Sequence, residues 1–347
     1  MKRYFRFWLS IFFIALSGCG NTSTVERQYP ETYTNSELIE RPDINSLLSV
    51  ANEYLFAKRP LASPVEPIPI DKITPDQLVD ETKNVVYRLG HSTVLMKIEG
   101  KLILTDPMFS ERASPTQIAG PKRFHPVPIT IAELPTVDVV VISHDHYDHL
   151  DESSIAALAE KTNVFLVPLK IKPYLVDWGV RPEKIIELEW WKSVNVGNIN
   201  FVFTPAQHFS GRGVLDRDST LWGGWAVLAK SARIFFSGDS GYFTGFKKIG
   251  RKYGPFDLTL IETGAYNIHW PFVHMFPEQS VAAHIDVRGK VMMPVHNCTF
   301  DLSVHDWNEP LIKALQLGRE KGVAVAIPKI GERFEIGKTP DNDAWWY

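Results

Sequence analysis

Residues 139–150 read VVVISHDHYDHL, and this stretch decides the fold class. It begins with an apolar run of four residues, which is typical of a buried strand. Three histidines and an aspartate follow within six residues, in the spacing H-x-H-x-D-H. In an extended chain, His144 and His146 point to one side, and a turn into the next helix brings Asp148 and His149 round to a neighbouring point. The pattern predicts two adjacent metal positions at a strand end.

The types of ligand indicate which metals and which kind of metal site to expect. Imidazole and carboxylate groups suit zinc, iron or manganese. Because the chain has only two cysteines, Cys19 and Cys298, neither a cysteine-rich structural zinc site nor a disulfide framework is expected. A solvated histidine-rich loop is the alternative, but the apolar strand directly before these groups favours a metal site.

Polar residues also follow three later apolar runs. His208 comes after residues 201–204, Asp239 after 234–236 and His296 after 291–293. Loops at strand ends often carry function on a rigid scaffold. Taken singly, a histidine there is more often structural, and an aspartate between glycine and serine could mark a turn. Their order as a set favours further metal ligands.

Composition excludes several classes of protein. The chain has 347 residues, of which 44% are hydrophobic and 22% charged, and it lacks low-complexity tracts, so a fibre, a disordered chain and a multi-span membrane protein are excluded. With 37 basic against 40 acidic residues and no block of like charge, nucleic acid is not an expected partner. Neither G-x-G-x-x-G after a strand nor G-x-x-x-x-G-K-[ST] occurs, which argues against nucleotide binding.

The N-terminus reads as a targeting signal. Three basic residues precede an apolar run from Phe7 to Leu16, which is too short for a permanent membrane span. The following LSGC at residues 16–19 resembles the bacterial lipobox, which implies acylation of Cys19; an ordinary signal peptide or signal anchor is the alternative. Because Gly20 follows the cysteine, we expect a lipid-anchored protein of the cell envelope, on the outer membrane and facing the periplasm.

Periodicity predicts the organisation of the mature chain. Apolar residues at helical spacing predict a helix from Asp43 to Phe56, and four prolines in residues 60–69 predict an extended crossing. Short apolar runs from Val85 onward alternate with helical patterns, which favours two sheets covered by helices. The predicted parts are a signal peptide (1–18), a tether (19–42), an N-terminal helix and Pro-rich segment packing on the body (43–84) and a catalytic domain (85–347).

The ligand set resembles that of the metallo-β-lactamase fold superfamily, and within it the N-acyl-phosphatidylethanolamine phospholipase D-like family. The second resemblance extends beyond the metal motif, through LTDP (104–107), RASP (112–115), GPKRF (120–124), GPFDL (254–258) and GAY (264–266). It implies an α/β fold: a four-layer αβ/βα sandwich with two mixed sheets.

The resemblance also implies roles for individual residues. His144, His146 and His208 would hold one metal, Asp148, His149 and His296 a second, and Asp239 would bridge them. Asp148 and His274 are the expected catalytic residues, His274 lying near the scissile phosphate, although the residues around it depart from the family form. Asp106 is expected to orient a metal-bound histidine, with a turn before Pro107 as the alternative, and His91 to lie near the site, with a structural strand-end histidine as the alternative. Tyr266 and, from the aromatic content of the chain, Trp222 are candidates for the substrate pocket, with packing in the core as the alternative.

The implied reaction is phosphodiester hydrolysis. Two divalent ions, most simply Zn²⁺ with iron or manganese as alternatives, would supply a bridging hydroxide and stabilise extra negative charge at phosphorus. An N-acyl-phosphatidylethanolamine would yield phosphatidic acid and an N-acylethanolamine. The expected partners are membrane phospholipid, the membrane through the lipid anchor and, from the resemblance, a second copy in a homodimer. A lactonase or other ester hydrolase and a non-catalytic metal-binding envelope lipoprotein are the alternatives.

Overall fold

The computed structural model describes residues 29–38, 44–56 and 59–347. The predicted signal peptide, Cys19 and Asp43 lie outside the described residues. The chain divides into two units, residues 1–31 and 32–347, and the second is the body that carries the site. Within the described ranges, no helix is long and apolar enough to cross a membrane.

Two seven-stranded sheets form the body. In chain order the strands are β1 Val85–Gly90, β2 Thr93–Ile98, β3 Lys101–Thr105, β4 Val137–Val141, β5 Thr162–Pro168, β6 Ile185–Leu188, β7 Ser193–Val196, β8 Ile199–Thr204, β9 Gly224–Leu228, β10 Arg233–Phe236, β11 Phe256–Glu262, β12 Gly289–Val295, β13 Ala324–Val325 and β14 Arg333–Glu335. The first sheet has the order β14-β1-β2-β3-β4-β5-β6 and the second β13-β12-β11-β10-β9-β8-β7.

Each sheet is mixed in the same way. Strands β14, β1, β2 and β3 pair antiparallel, and β3 to β6 pair parallel. In the second sheet β7 to β10 pair antiparallel, and β10 to β13 pair parallel. The parallel strands are buried, and their apolar runs are therefore nearly continuous.

Helices cover the sheets. Their bounds are α1 Ile44–Phe56, α2 Pro75–Asp80, α3 Glu152–Leu158, α4 Lys172–Asp177, α5 Gly245–Tyr253, α6 Pro277–Asp286 and α7 Glu309–Lys321, with a 3-10 turn at Pro182–Lys184. Apolar residues of α3 and α4 pack with the first sheet, and those of α5 and α6 with the second. The Trp225 indole of β9 donates to the Ile142 carbonyl after β4 (2.8 Å), which joins the two sheets. The predicted four-layer sandwich is confirmed.

The sequence predicted most of the elements. Strands β8 and β10 include the apolar runs 201–204 and 234–236, the predicted helix is present from Ile44, and the Pro-rich segment 60–69 contains neither helix nor strand. Helices α2 and α4 and strands β6, β7 and β14 were not predicted, because they span three to six residues and carry too little periodicity to be recognised.

Part of the predicted tether is bound to the body. Residues 32–38, which we call the strap, contain Tyr33, whose amide donates to the Asp218 carbonyl (2.8 Å). Asn35 exchanges two hydrogen bonds with the His208 backbone, at 2.8 and 3.0 Å. The Glu37 carboxylate accepts from the Thr244 amide (3.0 Å). Such contacts depend on partners far along the chain, which a polar, aperiodic stretch of sequence does not indicate.

Candidate metal centre

The strand ends of both sheets meet at one place. The H-x-H-x-D-H loop follows β4, and three further polar residues follow β8, β10 and β12, namely His208, Asp239 and His296. The carboxyl ends of β4, β10 and β12 lie in parallel arrays, so the loops after them emerge on one side. The fold therefore gathers all seven sequence-predicted ligands.

Three imidazoles face a common point, and we call them the histidine group. His146 Nδ1 lies 2.9 Å from His144 Nε2 and 3.2 Å from His208 Nε2. A metal bound tetrahedrally at about 2.0–2.1 Å would separate its nitrogen ligands by about 3.3 Å. The nitrogens are thus spaced as three ligands of one ion would be.

The outer hydrogen bonds of the histidine group leave its lone pairs free. His208 Nδ1 donates to the Val273 carbonyl (2.9 Å), so Nε2 of the neutral ring carries the lone pair. The Ser143 hydroxyl donates its one proton to the Asp106 carboxylate, so it must accept from His144 Nδ1 (2.8 Å). Both rings are therefore held with an unprotonated nitrogen towards the centre, the arrangement that metal binding requires.

Asp148, His149 and His296 form a second cluster, which we call the mixed group. Asp148 Oδ2 lies 3.3 Å from His149 Nε2 and 3.2 Å from His296 Nε2. His149 Nδ1 donates to the fully buried Asp106 carboxylate (2.7 Å). Its Nε2 is consequently also aimed at the centre.

Asp239 lies between the two groups. Its Oδ2 is 3.1 Å from His149 Nε2 and 3.0 Å from His296 Nε2. The same oxygen is 3.8 Å from Nε2 of both His144 and His208. One carboxylate oxygen thus faces nitrogens of both groups, although Asp239 itself comes from a different strand.

The residues fit a divalent metal by chemistry as well as by position. Five imidazoles and two carboxylates converge without a thiol, which suits zinc and related ions. Asp239 Oδ1 and His149 Nε2 are buried without a hydrogen-bond partner among the described residues, which is costly for a polar group with no other ligand.

Electrostatics distinguish the two groups. Burial and neighbouring imidazoles hold the pKa of His144 and His208 well below the usual value, so these rings are neutral. Burial also lowers the pKa of His296, but Asp239 and Asp148 outweigh it and raise that pKa to about 10. Burial raises the pKa of Asp239, yet His149 and His296 hold it well below the usual range. The carboxylates therefore raise the pKa of an imidazole in the mixed group, whereas burial and neighbouring imidazoles lower the pKa of the rings in the histidine group.

Comparison with known proteins agrees with this geometry. Residues 101–297 match the family model described as the beta-lactamase superfamily domain. The chain belongs to this superfamily. An uncharacterized protein of Mycobacterium tuberculosis is 43% identical over 297 residues, covering 84% of this chain and 79% of the relative. N-acyl-phosphatidylethanolamine-hydrolyzing phospholipase D 1 of Caenorhabditis elegans is 37% identical over 288 residues, covering 77% and 80%.

A solved structure supports the fold. Igni18, a metallo hydrolase of Ignicoccus hospitalis, superposes with a TM-score of 0.56 and 21% identity, covering 73% of this chain and 99% of that one. At this identity the likeness establishes the fold alone. The superfamily match and the ligand cluster make the protein a metal-dependent hydrolase, and the superposition supports its metallo-β-lactamase fold.

Asp106 and His91, which were predicted to lie near the metal ligands, contact ligand side chains directly. Asp106 accepts from the Ser143 amide (2.7 Å) and from His149, and it reaches His144 of the histidine group through the Ser143 hydroxyl. His91 follows β1 and places its Nε2 2.8 Å from Asp148 Oδ2. Burial lowers the pKa of His91 to about 3, and the neutral ring donates to the carboxylate. Their functional roles stay predictions.

His274 lies beside both groups. Its ring centroid is 5.1 Å from that of His208 and 5.2 Å from that of His296. Nδ1 is 2.7 Å from Oε1 of Glu262, the last residue of β11, which is fully buried and also accepts from the Met275 amide (3.1 Å). Glu262 was missed from the sequence, although an acidic residue ending an apolar strand was a signal that could have found it.

The two predicted pocket residues occupy different surroundings. Trp222 is buried, donates from Nε1 to Asn35 Oδ1 (3.1 Å), and lines a cavity beside His208 that the strap also lines. Tyr266 donates its hydroxyl to Glu309 (2.8 Å) and stacks on His305 at 4.5 Å. A pocket role for either stays a prediction.

The centre reaches solvent through few side chains. Five of the seven predicted ligands are buried, whereas His146 and Asp148 are partly exposed, as is His274. The ring of Phe209 packs on His146 at 4.6 Å. The opening therefore lies beside the loop after His208 and the loop before His274.

Proposed function

We propose that this hydrolase is a phosphodiesterase of phospholipase D type, which cleaves N-acyl-phosphatidylethanolamine-like lipids to phosphatidic acid and an N-acylethanolamine. The observation that carries the proposal is the position of Asp239 Oδ2, within 3.8 Å of imidazoles of both groups. This arrangement suits two adjacent divalent ions, which we propose to be Zn²⁺. The 37% identity to the worm phospholipase D supports the lipid substrate.

The protein residues would divide the work. When bound, two divalent ions supply an activated water and positive charge for an anionic phosphodiester. The histidine group and the mixed group would each fix the position of one ion, and Asp239, which faces both groups, would help to fix the distance between the two ions. Asp106 and Ser143 would keep the ligand rings in the required tautomers.

His274 is the proposed proton donor to the leaving alcohol. Glu262 accepts from its Nδ1, which fixes the ring, so the proton given to the leaving alcohol would be the one that the imidazolium form carries on Nε2, with the Glu262 carboxylate pairing the ring's charge. At 14% exposure the His274 side chain lies where a substrate can reach it. A positioned general acid contributes about 10²- to 10⁴-fold.

The test measures activity and metal together. Protein is assayed on N-acyl-phosphatidylethanolamine, on a short-chain phosphodiester and on a lactone, with metal content by elemental analysis. We expect about two ions per chain and hydrolysis of the phosphodiesters. Lactone hydrolysis without phosphodiester hydrolysis would instead support a lactonase or other ester hydrolase. A protein that holds metal but hydrolyses none of these substrates would support a non-catalytic, metal-binding lipoprotein.

His274 is tested beside a histidine away from the centre. His274→Ala should keep both metals and lower the catalytic constant by about 10²- to 10⁴-fold. His284, which bonds the Thr259 hydroxyl (2.7 Å), supplies the control His284→Ala, whose melting temperature should fall while its turnover per folded molecule stays near wild type. A near-native rate for His274→Ala would remove this residue from the mechanism.

We also propose that the protein is lipid-anchored through Cys19 in the outer membrane, facing the periplasm. The support is the LSGC sequence after a short apolar run. Cys19→Ala should leave an unprocessed or soluble species in cell fractionation. A mutant that is still acylated and unchanged in position would contradict the lipobox interpretation.

A further inference from the structure

Large apolar side chains lie exposed on three segments around the opening of the centre. Val214 and Leu215 are 97% and 98% exposed, and Ile268 is 72% exposed. Leu38 of the strap is fully exposed, and Phe272 is partly so. We call these five residues the apolar rim. Exposed apolar groups that cluster at a site mark an interaction surface more often than singly scattered ones do.

Each segment that carries the rim is fixed to the metal centre at its base. The strap is bonded to the His208 backbone through Asn35. In the loop 209–218, the Gly211 amide donates to the buried Asp145 carboxylate (2.8 Å), and Asp145 belongs to the H-x-H-x-D-H loop. The fold therefore holds this loop while leaving its apolar tip exposed.

The third segment, residues 267–273, is fixed in the same way. The Val273 carbonyl accepts from His208 Nδ1 (2.9 Å), and the Gln207 side chain donates to the Phe272 carbonyl (3.2 Å). The strap and this segment are thus fixed at Gln207 and His208, while the loop 209–218 follows directly from His208 and is fixed to Asp145. The apolar tips therefore extend from bases that lie beside the side chains through which the centre reaches solvent, His146, Asp148 and His274.

The short distance along the chain from the predicted acylation site to the strap suggests that a membrane covers the apolar rim. Thirteen residues separate Cys19 from Tyr33, and a chain of that length reaches at most about 50 Å. An acyl group on Cys19 would therefore hold Tyr33, at the start of the strap, within that distance of a bilayer. Val, Leu, Ile and Phe gain free energy when they move from water into the acyl boundary of a membrane.

We propose that the apolar rim inserts into the lipid surface and places the opening of the metal centre against the membrane. The proposal rests on the proposed lipid-directed function and names its docking surface. It makes membrane binding a property of the folded body as well as of the acyl anchor. Two signals together hold a protein on a membrane more stably than one.

The test uses the chain from Gly20, the predicted mature protein without its acyl group. Its binding to vesicles of phosphatidylethanolamine and phosphatidylglycerol is measured by co-sedimentation. The double variant Val214→Ser/Leu215→Ser should bind at least about tenfold more weakly, since each side chain forfeits more than one buried CH₂ group. Its turnover of a soluble short-chain phosphodiester should stay at the wild-type level, while turnover of vesicle-embedded N-acyl-phosphatidylethanolamine falls.

A matched control removes exposed apolar groups elsewhere. Val65 is 79% exposed and Val79 of α2 is 62% exposed, and neither belongs to the three segments. The variant Val65→Ser/Val79→Ser should bind vesicles like the wild type. Equal vesicle binding by the rim variant and the wild type would overturn the proposal. If the rim variant also loses a dimer that the wild type shows in size-exclusion chromatography, the rim contacts a second copy of the chain and not the membrane.

Failure of the proposed function has a different signature. If the wild type hydrolyses no phosphodiester but the rim variant still loses vesicle binding, the docking surface stands and the phospholipase D assignment falls. If hydrolysis is present and vesicle binding does not depend on the rim, the function stands and the rim proposal falls.

Discussion

The histidine group and the mixed group receive ligands from the same short loop but are stabilised differently. His144 and His208 donate to neutral oxygens, the Ser143 hydroxyl and the Val273 carbonyl. His149 donates to the Asp106 carboxylate, and Asp148 accepts from His91. The outer partner of His149 is therefore a carboxylate, whereas the outer partners of His144 and His208 are neutral oxygens. The difference teaches that adjacent ligands in a sequence can depend on quite different surroundings.

The largest expected effect removes the residue that both groups share. Asp239→Asn keeps the volume but loses the carboxylate that faces four imidazoles, so we expect loss of tight metal binding at both groups and loss of turnover. Elemental analysis after dialysis and a phosphodiester assay measure the two effects. A full metal complement in an inactive Asp239→Asn protein would contradict a bridging role.

A second variant tests whether His274, which lies beside both groups, needs its buried partner Glu262. Glu262→Ala should lower the catalytic constant by about 10²-fold or more without changing metal content, because His274 loses the acceptor that fixes its ring. Glu262→Gln retains an oxygen that can accept from Nδ1, so we expect it to recover part of the lost rate. If both variants lose the same activity together with thermal stability, Glu262 supports the fold and does not position His274.

The third prediction compares the orienting residues directly. Asp106→Asn should weaken metal binding about 10- to 100-fold, with the larger effect at the mixed group, because His149 loses a charged acceptor. Ser143→Ala removes only a neutral acceptor from His144 and should cost less. Competition with a chelator gives both affinities for each variant. Equal losses in the two variants would erase the distinction drawn between the groups.

The smallest expected effect is on the pH dependence of stability, and it concerns His284, a buried histidine whose pKa is shifted by burial and by no carboxylate. Burial lowers the pKa of His284 to about 4, in contrast to His296, whose carboxylates raise its pKa. Between pH 6.5 and about 4 the unfolded chain takes up a proton at His284 and the folded chain does not, so stability falls as the pH falls, by up to about 1.4 kcal/mol per pH unit.

His284→Gln is the matched variant for this prediction. Denaturant unfolding at pH 7.5, 6.5 and 5.5 should show a smaller loss of unfolding free energy for the variant than for the wild type. Parallel losses in the two proteins would show that His284 does not contribute to the pH dependence.

The sequence by itself determined the fold class and the set of candidate ligands. The reason is local: an apolar run marks a buried strand, and the ligands of the H-x-H-x-D-H loop are close along the chain. The three later ligands were found because each directly follows another apolar strand. The carboxyl ends of β10 and β12 lie at one edge of a parallel array, and β8 runs in the same direction because β8 and β10 both pair antiparallel with β9. The order of these residues, together with the resemblance to the superfamily's ligand set, was enough to group them.

Only the tertiary structure decided which groups orient and surround these ligands. Glu262 reaches His274 across twelve residues, and Asn35 reaches His208 across 173, and no local pattern marks either pair. The strap was expected to be part of a tether because its sequence is polar and aperiodic. Its structure comes from hydrogen bonds to distant backbone atoms, and such partners exist only once the sheets have brought the strand ends together.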